Sequence, residues 1–98
     1  MKIAFVLIDT MPAKERDICK KLKEMKETVW VYMVLGEYDI IAKIEDENFE
    51  KIGNIVKDTI REIEGVTDTK TLMVLRLDEG GEKNGITNNN TPNVDLWG

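Results

Sequence analysis

The sequence contains no histidine, and that absence alone removes a large set of chemistries. Histidine general bases, His–Asp relays and histidine metal ligands are all impossible in this chain. Its one cysteine, Cys19, has no partner for an internal disulfide and no histidine to activate it. Cys19 is therefore a small filler beside a helix stripe, and its reduced state fits a reducing compartment. Long hydrophobic runs are missing too. Ile3–Ile8 is too short for a bilayer span or for a signal peptide with its cleavage site, so a cytoplasmic protein without membrane contact is expected. Basic charge is in deficit: 14 Lys and Arg stand against 19 Asp and Glu, a net −5. A chain of that balance does not grip a phosphate backbone unaided.

What remains is one domain of ordinary soluble composition, with 42% hydrophobic and 34% charged residues among 98. The charge is spread unevenly. Residues 78–98, DEGGEKNGITNNNTPNVDLWG, hold four acidic residues and one lysine, so −3 of the −5 sits there. Only Ile86, Val94, Leu96 and Trp97 are hydrophobic in that stretch. The expected organisation is a compact domain over 1–77 and a polar, flexible tail over 78–98. Leu96 and Trp97 are either disordered with the rest of the tail or a short docking anchor.

Within the body, Lys2–Asp9 is apolar on both alternating sets, as in a strand covered on two faces. Pro12 suits a first helical position, and Ile18, Leu22 and Met25 form one stripe of a helix over Pro12–Lys26. Thr28–Leu35 (TVWVYMVL) is β-branched and aromatic, hence a strand. The short segment Gly36–Asp39 joins it to a second strand, Ile40–Ile44, as an antiparallel hairpin. Asp46 is positioned to cap a second helix with the stripe Phe49, Ile52, Val56, Ile60 and Ile63, and Gly65 to end it. Thr69–Leu77 (TKTLMVLRL) supplies the last strand.

The order βαββαβ predicts an α+β, ferredoxin-like fold: a four-stranded antiparallel sheet with both helices on one face. The other face then lacks cover, although its residues are apolar. Four strands ~4.8 Å apart and ~17–20 Å long span roughly 350 Å² in projection. A patch of that size marks an interface. Homodimerisation through the open sheet face, as a dimeric α+β barrel, is expected, with Trp30 at the contact.

Three segments make the pattern specific: the opening strand AFVLIDT, the hairpin GEYDIIAKI over 36–44, and the close EGVTDTKTLMVL over 64–75. In residues and spacing, about 2–77 resembles the ligand-sensing (RAM) domain of the Lrp/AsnC family of transcription regulators. The resemblance implies a non-enzymatic, effector-sensing accessory of transcription regulation. Dimers would stack into octamer- or decamer-like rings, and an amino acid or similar small molecule would bind at subunit contacts. It also implies mixed assembly with a full-length relative. The helix-turn-helix of full-length members has no counterpart in this sequence, so a stand-alone sensing domain without direct DNA binding is expected.

The resemblance places effector contacts at Leu35, Gly36, Glu37, Tyr38 and Asp39, with Thr69 and Thr71 near the pocket. Backbone N–H groups of the turn could hold an α-carboxylate, Asp39 or Glu37 an ammonium, and Tyr38 a wall. Leu35 stands where relatives often carry threonine, which removes one hydrogen-bond partner. Simpler roles remain open at each position. Gly36 and Asp39 suit any hairpin turn, Glu37 and Tyr38 suit a contact between dimers, and Thr69 and Thr71 are good strand formers. A purely structural assembly domain is the alternative function. A small dimeric-barrel enzyme is disfavoured, because the strand interiors carry only Lys43, Lys70 and Arg76 as polar chemistry. The carboxylates Asp9, Glu45, Asp46 and Glu47 suit element ends rather than a metal. No catalytic residue, metal or cofactor is expected.

Overall fold

Alternation along β1 (Lys2–Thr10) buries Ala4, Val6 and Ile8 completely and leaves Ile3, Phe5 and Leu7 half-buried on the opposite side. In this computed structural model, which describes residues 1–75, there follow α1 (Glu15–Lys23), β2 (Thr28–Met33), β3 (Ile40–Asp46), α2 (Phe49–Ile55) and β4 (Val66–Met73). α2 runs on into a π-helical turn, Val56–Ile60, closed by the Arg61 N–H donating to the Val56 carbonyl at 2.9 Å. The expected strand end at Arg76–Leu77, the 78–98 tail and the Leu96–Trp97 anchor lie outside the described residues.

The strands lie in the order β2-β3-β1-β4, every neighbouring pair antiparallel. This is the expected ferredoxin-like sheet, and one buried core joins it to both helices. Ile18 and Leu22 of α1 and Ile52, Val56 and Ile60 of the second helical segment share this core with Ala4, Val6, Ala42 and Ile44. The wider turn from Val56 keeps Ile60 fully buried. Cys19, Met25, Phe49 and Ile63 pack partly buried at the margin of this core.

Several element ends differ from the expectation, each for a local reason. Pro12 does not open α1. It precedes Ala13 in a turn closed by the Lys14 N–H donating to the Met11 carbonyl at 3.2 Å, and the helix begins at Glu15. Ala13 has φ +68 there, the left-handed region that the third residue of a type II turn adopts. Asp46 does not cap α2 either. Its Oδ1 accepts from the adjacent Glu47 N–H, while Asn48 Oδ1 accepts from the Lys51 N–H at 2.8 Å as the true N-cap. Nor does Gly65 end the helix, which stops at Ile60. Gly65 (φ +98) instead opens β4, and its carbonyl accepts from the Met11 N–H at 2.7 Å. A Cβ at Gly65 would lie 2.8 Å from the Lys14 Cβ, so only glycine permits this approach of the two loops.

β4 therefore starts at Val66, paired with Thr10, three residues before the expected start. β2 ends two residues early, at Met33, and a bulge makes Val29 an extra residue, 48% exposed.

The face away from the helices carries two full rows. Trp30, Lys43, Phe5 and Leu72 form one, and Tyr32, Ile41, Leu7 and Lys70 the other. Trp30 lies 5.9 Å from Phe5 and 5.4 Å from Tyr32, centroid to centroid. Tyr32 (61%) and Leu72 (47%) are exposed there, so among the described residues nothing covers the aromatic cluster.

Candidate functional site

The hairpin joining β2 to β3 is closed by the Val34 N–H, which donates to the Asp39 carbonyl at 2.9 Å. Leu35 at its tip is fully exposed. Gly36 has φ +145, and no atom lies within 4 Å of where a Cβ would stand. Its conformation is thus demanded by the turn and not by packing, and its backbone is open to an incoming group.

Two bonds fasten this hairpin to the end of β1. The Asp39 N–H donates to the Ile8 carbonyl at 3.0 Å, and Asp39 Oδ2 accepts from the Thr10 N–H at 2.9 Å. The Thr10 hydroxyl stands 3.4 Å from the same oxygen. The β1–β3 ladder ends at Ile8 and Ile40, so the Thr10 N–H lies beyond it and is left for this contact. One Asp39 oxygen is accordingly engaged in holding the turn.

Tyr38 is half-buried beside the ends of β1 and β4. Burial, then the charges of Asp68, Asp9 and Glu37, push its phenol above the ordinary value. Asp9 pairs directly with Asp68 across β1 and β4. Partial burial, followed by the carboxylates of Asp39, Asp68 and Glu37, raises its carboxyl as well. Among the described residues the ion pairs are Lys14–Glu64 and Lys51–Glu47, and none of these acids has a basic partner there.

The structure thus gathers Glu37, Tyr38 and Asp39 with Asp9, Thr10 and Asp68. Thr69 and Thr71 sit differently. They pair with Ile8 and Val6, half-buried on the helix side of β4, two strands away from β3. Asp9 was expected as a solvated element end, and Thr10 and Asp68 carried no signal of their own. They enter the site through the pairing register, which a linear pattern does not display. Among the described residues no group of three or more His, Cys, Asp or Glu could hold a metal ion, and no helix is long and apolar enough to cross a membrane.

Comparison with known proteins gives a consistent result. A family profile described as "Lrp/AsnC ligand binding domain" matches residues 3–77. The chain is 37% identical over 75 residues to the HTH-type transcriptional regulator FL11 of Pyrococcus furiosus, covering 76% of this chain and 49% of that protein. It therefore spans about half the length of the curated relatives it matches. A hypothetical protein of Pyrococcus horikoshii superposes with a TM-score of 0.73 at 30% identity, over 85% of this chain and 100% of the other. The fold is also that of a Neisseria meningitidis transcriptional regulator solved with L-Met, with a TM-score of 0.70 at 22% identity, over 76% of this chain and 50% of that one.

Proposed function

The chain belongs to the Lrp/AsnC ligand-binding domain family, and from that premise we propose that it is a non-enzymatic sensing module, binding an amino acid or similar small molecule where subunits meet beside the 35–39 hairpin. Subunits pair through the open sheet face and assemble further around the hairpin. Ligand binding then favours one assembly state by its unequal affinity for the two. Mixed assembly with a full-length relative would pass that change to transcription.

The observation carrying this reading is the hairpin itself. Leu35 and Gly36 are exposed in a backbone form that packing within the subunit does not require. The uncovered Trp30–Phe5–Tyr32 cluster supports the pairing. The Neisseria regulator bound to L-Met supplies the ligand class to test first. Calorimetric titration with the twenty amino acids, alongside sedimentation velocity, tests the proposal. Binding at millimolar or better with a changed sedimentation profile is the expected result, and silence in both measurements removes the sensing role.

A purely structural assembly role draws on Asp39, whose carboxylate is engaged by Thr10 and so serves the hairpin's shape. A ring that forms and responds to none of the amino acids would favour that second reading.

A further inference from the structure

Building on the paired-subunit reading above, we propose that two open sheet faces are held in one register by reciprocal ion pairs, from Lys43 and Lys70 of one copy to Asp9 and Asp68 of the partner subunit. The cations occupy the middle rows of the face: Lys43 between Trp30 and Phe5, Lys70 beside Leu7. Asp9 and Asp68 stand together at the hairpin end of the same sheet.

Among the described residues none of the four has an opposite charge within 4.0 Å. The acids repel one another instead, and the Asp9 carboxyl is raised first by partial burial and then by Asp39, Asp68 and Glu37. Covering the aromatic rows with a second apolar face would strip water from both lysines, which is costly unless each gains a counter-charge. An acidic nucleic-acid backbone would meet the aspartates, and an uncharged apolar surface would leave the lysines unpaired. A second copy supplies Asp9 and Asp68 for the two lysines, with Glu45, opposite Ile3, a third acid on the same face, and a two-fold contact must be self-complementary in this way. Electrostatic pairing of this kind fixes register and partner more than raw affinity.

Two reversed chains test the inference, Lys43→Glu/Lys70→Glu and Asp9→Lys/Asp68→Lys, each followed by sedimentation equilibrium. Alone, each should dissociate about tenfold more readily than the natural chain, or worse. Mixed in equal amounts, they should form a heterodimer of near-natural affinity, since every cross-contact then joins opposite charges. The natural dimer should also weaken as salt rises from about 50 to about 500 mM. That measurement decides the matter if circular dichroism shows either variant unfolded. A mixture no tighter than its components, or a salt-independent natural dimer, overturns the ion pairs while leaving the paired faces standing. A natural chain that stays monomeric across micromolar concentrations overturns the pairing itself.

Discussion

Asp39 and Thr10, 29 residues apart, are joined by a hydrogen bond from the Thr10 N–H to Asp39 Oδ2 at 2.9 Å. The contact ties the hairpin to the end of the central strand. Asp39→Ala should cost about 1–2 kcal/mol, the range for a hydrogen bond to a charged group in a partly solvated place. Asp39→Asn keeps an acceptor oxygen and should lose less than half of that. Urea denaturation of the three chains gives the comparison.

Gly36 and Gly65 share a positive φ but not a neighbourhood. Alanine at Gly36 meets open space, so only the backbone strain of about 1–2 kcal/mol applies. Alanine at Gly65 adds a Cβ 2.8 Å from the Lys14 Cβ, close to the main chain and unable to swing aside. Its cost should reach about 3 kcal/mol or more. Denaturant midpoints should therefore fall further for Gly65→Ala, and equal midpoints would contradict the loop-to-loop approach.

Ala13, at φ +68, holds a conformation that glycine adopts without strain. Ala13→Gly should stabilise the domain by about 0.5 kcal/mol, the relieved strain exceeding the added freedom of the unfolded chain. Ala13→Val should lose about 1–2 kcal/mol, because a β-branched side chain tolerates this region worst. Thermal melts of the pair should move in opposite directions.

Tyr38 should ionise above the ordinary phenol value of 10.0, because burial and then Asp68, Asp9 and Glu37 disfavour its anion. A raised folded-state value favours the neutral phenol. The associated stability is thus complete below pH 10.0 and lost as pH climbs through the raised value. Spectrophotometric titration near 295 nm should show a late component that vanishes in Tyr38→Phe. A titration unchanged by that substitution would contradict the placement of the ring.

The core was largely legible in the sequence, since Ile18, Leu22, Ile52, Val56 and Ile60 recur at helical spacing and all five are buried. The βαββαβ order followed from where those stripes alternate with β-branched runs. Element ends were less legible, because they turn on contacts between distant residues. Pro12 belongs to a turn braced by Gly65, and β4 begins early because Val66 pairs with Thr10. Asn48 displaced Asp46 as the cap through a backbone geometry that composition does not encode. The hairpin stood out by its glycine and turn residues. Its surroundings did not, since Asp9, Thr10 and Asp68 reach Asp39 and Tyr38 only once the strands are aligned.

The position of β1 bears on how the chain acquires its shape. It precedes the sheet's other strands in the chain, yet it bonds on one side to β3 and on the other to β4. Its second flank stays open until the ribosome has released residues 66–73. A partly made chain thus carries a long apolar strand with an unsatisfied edge, a state prone to aberrant pairing. The sheet is complete only once β4 has emerged to pair with β1. A break anywhere in β4 should then unmake the whole sheet rather than trim its border.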